Sequence, residues 1–241
     1  MSRATLWTLL LASLGGFVDA VGFLALFQMF TAHMSGNSVW LGASFGSGDW
    51  RLGLHHLFPI PLFVLGVALG TIVVELARRG RLRAPFVPAL IIEAALLTAF
   101  MLLGSACMVE GAIRPSAVWT FYLLAALPAL AMGMQNTTLR TVAGLAVHTT
   151  YVTGVLQTLA EESARYLLAR ADGRAAAVHG AAVHASLHSA AAAALLWLAY
   201  VGGAVGGGFT KQYWQLYALA LPVTVLAVIV VVDLARPAAE G

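Results

Sequence analysis

Residues 31–42 read TAHMSGNSVWLG. They follow the apolar run FVDAVGFLALFQMF (17–30) and place Thr31, His33, Ser35, Asn37 and Ser38 within eight positions. The chain as a whole is 61% hydrophobic and only 10% charged over 241 residues, with a mean hydropathy of +0.88. A soluble domain carries about 25% charged residues. The composition therefore defines an integral membrane protein of one domain, 1–241. The question is whether 31–42 is a loop in water or a polar segment inside the membrane.

The apolar runs are continuous and rich in Leu, Ala, Val and Gly. They lack the alternation of a membrane β-barrel, so the spans are read as helices in an all-α, polytopic fold. Six runs are long enough to cross a hydrocarbon core of ~30 Å. They cover roughly 5–29, 57–77, 85–108, 116–139, 184–208 and 213–234. Two further segments, about 31–47 and 145–163, are shorter or more polar. They are expected to be half-helices or re-entrant segments.

Charge decides between six spans and eight. With six spans and both termini in the cytoplasm, ten arginines fall inside, among them Arg3, Arg78, Arg79, Arg81, Arg83 and Arg236. Only Arg51, Arg114 and Lys211 fall outside. That asymmetry satisfies the positive-inside rule, and eight spans break it. The expected location is the bacterial inner membrane. The basic clusters set orientation, and with a net charge of +3 nothing points to nucleic acid.

A shift of 118 aligns Thr31, Ser35 and Gly36 with Thr149, Thr153 and Gly154, giving a shared T-x3-[ST]-G pattern. The same shift puts Gly15 on Gly133 and Asp19 on Thr137. Downstream, GVALG (66–70) matches GAVGG (203–207) after an insertion of about twenty residues. Two repeats are expected, about 1–110 and 115–236. One starts inside and the other outside, so they are inverted. Paired interruptions in inverted repeats point to a transporter-type binding site.

The stretches GFVDAVGFLALFQMFTAHMSGNSVWLG and GMQNTTLRTVAGLAVHTTYVTGVLQTLAE resemble the two signature regions of the YoaK family, also called domain of unknown function 1275. The resemblance covers nearly the whole chain. It implies a small bacterial membrane protein and no particular activity. The insertion HGAAVHASLH departs from the family pattern.

Ionisable residues within spans are costly and mark candidate sites. Asp19 and Glu93 are the two such acids, and His33 is the histidine placed to exchange protons. Thr31, Ser35, Gly36, Asn37, Gln135, Asn136, Thr149, Thr153 and Gly154 are the expected solute-binding set. Free N–H groups at the start of a half-helix attract an anion. The bland alternative is that these groups satisfy one another and cap broken backbone. The pairs Gly66/Gly70 and Gly203/Gly207 are close-packing signals.

No enzyme motif is found. His184 and His188 are four apart but lack acidic or Cys partners, so no metal or cofactor is expected. The single cysteine, Cys107, excludes an intrachain disulfide. The reading is a secondary transporter of a small polar or anionic solute. The rivals are a channel-like pore and a non-transporting chaperone or regulatory component. The partners are the bilayer and the solute, and the small size is compatible with a homodimer.

Overall fold

The computed structural model describes residues 3–114, 118–138, 152–171 and 180–236. In chain order the helices are α1 (Arg3–Ala25), α2 (Met34–Gly46), α3 (Trp50–Leu57), α4 (Pro59–Arg79) and α5 (Val87–Ser105). A two-stranded hairpin, β1 (Met108–Val109) and β2 (Ala112–Ile113), leads to α6 (Val118–Thr138). Then come α7 (Val152–Ala171), α8 (Gly180–Trp214), a 3₁₀ turn over Gln215–Leu219, and α9 (Ala220–Ala235).

Among the described residues, five stretches are long and apolar enough to cross a membrane: Thr5–Ala25, Trp50–Arg79, Val87–Ser105, Val118–Thr138 and Ser186–Ala235. The last contains both α8 and α9, divided by the 3₁₀ turn. Neither α2 nor α7 is among the five. At 13 residues α2 is about 20 Å long, which is too short to span.

The distribution of polarity is that of a protein in lipid. Leu65, Leu69 and Ile72 of α4, Leu102 and Leu103 of α5, and Val228 and Val231 of α9 are exposed. Asp19, Thr31, Asn37, Glu93 and Gln135 are buried. Apolar faces turned outward, with these polar side chains kept inside an otherwise apolar core, suit a hydrocarbon solvent.

The contacts define two ends. Arg3 donates to the Arg236 carbonyl, so both termini of the bundle meet at one end. The hairpin lies at the other. There Lys211, in the last turn of α8, donates to the carbonyls of Gly111 and Leu24. It holds together the hairpin and the last turn of α1. Trp50, Trp119, Tyr213, Trp214 and Tyr217 are all exposed near this hairpin end, as an aromatic belt at a membrane interface requires. The α4–α5 loop, with Arg78, Arg79, Arg81 and Arg83, lies at the terminal end.

The hairpin turn uses positive φ at Glu110 (50°) and Gly111 (82°), the pattern of a tight two-residue turn. Asp49 caps α3 by accepting from Leu52 N–H at 3.0 Å. Phe58 keeps helical dihedrals and Pro59 opens α4, so α3 runs almost directly into α4.

Glycines set the two closest helix crossings. In the α1–α8 crossing, an added Cβ at Gly203 would lie 1.8 Å from the Ser13 carbonyl oxygen. In the α4–α6 crossing, one at Gly66 would lie 2.3 Å from that of Leu130. Both GxxxG stripes thus pack against other helices of the same chain.

Candidate functional site

The chain does not continue straight on from α1. Phe27 (φ 51°) and Gln28 (φ 64°) adopt left-handed backbone, uncommon for residues other than glycine. The chain then doubles back along the last turns of α1. The Phe23 and Phe30 rings lie 4.6 Å apart, and Thr31 packs on Gly22. A Cβ at Gly22 would come within 2.5 Å of Thr31 Cγ2, so the glycine permits the return.

The returning segment meets Asp19. Its Oδ1 accepts from Thr31 N–H (2.8 Å), Ala32 N–H (2.8 Å) and Thr31 Oγ1–H (3.1 Å). Asp19 sits six residues before the end of α1, about 9 Å down the helix. The backbone before α2 is therefore carried back into the bundle to that depth. The charge expected for a solute at these N–H groups is supplied by the chain itself.

The other carboxylate oxygen faces α8. Tyr200 O–H donates to Asp19 Oδ2 at 3.1 Å. His33 Nδ1 is 3.2 Å from the Tyr200 oxygen and 3.6 Å from Asp19 Oδ2. The His33 side chain is 25% exposed and that of Asp19 only 5%. A partly exposed imidazole, a phenol and a buried carboxylate thus form a hydrogen-bonded line. Tyr200 is absent from the residues singled out above. Its signal was a hydroxyl three positions before Gly203, in a span otherwise small and apolar.

Asn37 closes the fold of the return. Its Oδ1 accepts from Phe30 N–H at 3.1 Å, and its Nδ2 donates to the Phe30 carbonyl at 2.8 Å. His56 Nδ1 is 3.3 Å from the same Oδ1, and the His56 ring stacks on Trp40. Asn37 is wholly buried and committed to backbone that α1 leaves unpaired. Gly36 packs on the Phe30 ring, which an added Cβ would approach to 2.9 Å. Ser35 is exposed in the first turn of α2.

A second polar pair lies between α5 and α6. Gln135 Nε2 donates to Glu93 Oε1 at 3.0 Å, and both side chains are fully buried. Glu93 Oε2 and Gln135 Oε1 have no partner among the described residues. Next to it, Asn136 Nδ2 donates to the Met132 carbonyl at 2.8 Å. Glu93→Leu alone should cost about 1–3 kcal/mol by stranding the amide. Glu93→Leu with Gln135→Leu should recover most of that loss in a thermal unfolding cycle in micelles. A double variant no better than the single would show that the pair is not the unit.

Thr149 lies outside the described residues. Thr153 and Gly154 occupy the first turn of α7, as Ser35 and Gly36 occupy that of α2. Thr153 is exposed. The structure thus brings together Thr31, His33 and Asp19 through Tyr200, and separately Glu93 and Gln135. No hydrogen bond links the two groups among the described residues. Nor do those residues include three or more His, Cys, Asp or Glu side chains placed to hold a metal.

Fold and site together define a multi-pass helical membrane protein with a buried carboxylate network at a chain reversal. The chain belongs to the family described as "Protein of unknown function (DUF1275)", which matches residues 7–232. It is 31% identical over 161 residues to the UPF0700 transmembrane protein YoaK of Bacillus subtilis (strain 168), covering 66% of this chain and 67% of that relative. No solved structure matches.

Proposed function

We propose that the chain is a secondary transporter of a small polar or anionic solute, coupled to protons through His33, Tyr200 and Asp19. The observation that carries this reading is the line of contacts itself. It runs from a partly exposed imidazole through one phenol to a buried carboxylate, at a break that re-enters the bundle. A proton arriving at His33 Nε2 releases the Nδ1 proton to the Tyr200 oxygen. Tyr200 passes its own proton to Asp19 Oδ2. One proton moves and Asp19 becomes neutral, which weakens its hold on the Thr31 and Ala32 amides. Coupling to transport then lies in the α1–α2 reversal.

The glycine contacts support the reading, because they fit two inverted three-span repeats. Gly133 is closest to Phe63 O and Val67 N; Gly16 is closest to Tyr200 O and Ala204 N. Gly66 packs on Leu130 and Gly203 on Ser13; Gly70 packs on Met134 and Gly207 on Phe17. One offset, 117, relates α1 to α6, and another, 137, relates α4 to α8. These contacts pair Gly16 rather than Gly15 with Gly133, and Asp19 with Asn136 rather than Thr137, a one-residue change from the offset of 118. From α2 to α7 the offset of 118 is the one that sets Ser35 and Gly36 against Thr153 and Gly154. Related helices run in opposite directions between the two ends. On this reading α8 and α9 cross separately, giving six spans, and the arginine-rich terminal end faces the cytoplasm of a bacterial inner membrane.

The test uses proteoliposomes with an internal pH dye and a panel of organic acids and other small polar metabolites. At least one solute should drive saturable proton movement, and Tyr200→Phe should slow it at least tenfold while leaving the protein folded. Proton flux unaffected by Tyr200→Phe, or no solute-driven flux at all, would remove this coupling route. For orientation, a reporter fused within residues 78–84 should give a cytoplasmic signal, and a periplasmic signal there would reverse the topology.

A further inference from the structure

At the hairpin end, away from the Asp19 network, a cavity of about 490 Å³ opens beside the α1 reversal. Phe27, His55, Phe121 and Tyr122 form its walls, with Ile113 at the base and Arg114 at the edge. This volume is in the range of small-molecule pockets, which are mostly apolar with a few placed polar groups. The rings form a connected set. His55 stacks on Phe121 at 5.6 Å and 26°, Phe27 lies 5.9 Å from Phe121, and Tyr122 meets Phe121 edge-on.

Two features set this cavity apart from packing left incomplete. Phe27 is 48% exposed although the left-handed backbone that carries it is strained. Strain that aims a side chain into open space is a mark of ligand sites. His55 Nε2 lies 3.3 Å from the Phe27 carbonyl, which ties the ring wall to that strained turn. Arg114 is the second feature. Its side chain is 54% exposed and pairs with Glu110, whose side chain is 76% exposed, at 3.5 Å. A pair so exposed is weak and readily exchanged. Arginine presents a planar fork that matches a carboxylate with two parallel hydrogen bonds.

We infer that this cavity binds a small aromatic monocarboxylate, its ring among Phe27, His55, Phe121 and Tyr122 and its carboxylate on Arg114. This site does not rest on the transport reading, since binding requires no proton movement. If the protein is a carrier, the cavity is where such a solute docks before the reversal.

The probe is 4-fluorophenylacetate, followed by ¹⁹F NMR on the full chain in phosphatidylcholine nanodiscs. Saturable binding is expected. Arg114→Gln should weaken it at least tenfold, as should replacing the acid by 4-fluorophenylacetamide. Val118→Trp should also weaken it tenfold, because Val118 lines the cavity and is 70% exposed, leaving room for the larger ring to fill the mouth without disturbing the core. Equal binding of acid and amide, or unchanged binding in either variant, would overturn the assignment. So would Arg114-dependent binding of phosphatidylglycerol with none of the aryl acid, which would make the occupant a lipid. These outcomes are read without any flux, so failure here leaves the His33–Tyr200–Asp19 relay to be judged by its own test.

Discussion

Asp19→Ala should destabilise the folded protein by roughly 3–5 kcal/mol, because it strands buried donors. The Thr31 and Ala32 N–H groups and the Thr31 hydroxyl all converge on one carboxylate oxygen. Remove it, and the reversal after α1 loses the group that draws it into the bundle. Asp19→Asn retains an acceptor at that position and should cost less than half as much. Thermal or detergent-titrated unfolding in micelles measures both. A loss below about 1 kcal/mol for the alanine variant would mean that the return is held by Asn37 and ring packing alone. The comparison also separates two roles of Asp19. If Asp19→Asn stays folded yet abolishes solute-driven proton flux, the charge serves coupling and the acceptor serves structure.

Gly203→Ala and Gly66→Ala should each cost about 3 kcal/mol, the upper end for overpacking. In both cases the new methyl meets a main-chain carbonyl, Ser13 at 1.8 Å and Leu130 at 2.3 Å, and not a side chain that can swing away. The helices must separate along the whole crossing. The same helix supplies the control. Gly202 and Gly208 have nothing within 4 Å of an added Cβ. Alanine there should be neutral or stabilising by about 0.5–1 kcal/mol, through helix propensity. Comparable losses at Gly203 and Gly66 would also support the two-repeat reading, since both crossings share one register. A tolerated Gly203→Ala would contradict the close approach of α1 and α8.

Much of the architecture is legible in the sequence. The apolar runs 57–77, 85–108 and 116–139 correspond to α4, α5 and α6 within a few residues, because length and hydropathy alone decide what fits a bilayer. Glu75 and Arg79, four residues apart on one face of α4, pair at 2.9 Å, as helical spacing favours. The last two runs were less well placed. Helix α8 extends to Trp214, past the expected end near 208, and α9 starts at Ala220 rather than 213. The polar group Thr210, Lys211 and Gln212 breaks the apolar pattern but lies inside the last turns of α8, and the backbone break is the 3₁₀ turn that follows it at Gln215–Leu219.

The site was legible in part. Asp19, His33, Thr31 and Asn37 stand out because polar groups in an apolar run need a reason. Their partners do not stand out. Tyr200 is 181 residues from Asp19, and Gln135 is 42 from Glu93. Which groups meet depends on how each helix is rotated about its axis and on where two helices cross. Those are set by glycine contacts such as Gly16 on Tyr200 and Gly133 on Phe63, not by any local pattern.

By itself, then, the sequence determined the solvent, the helices and the places where polarity had to be buried, since these follow from transfer energies that each segment carries with it. Only the tertiary structure decided that the stretch at 31–42 is led back to Asp19, that a tyrosine from α8 completes the carboxylate's contacts, and that Glu93 faces an amide. Hydrogen bonds between distant segments exist only after packing has brought two backbones to a fixed depth and angle.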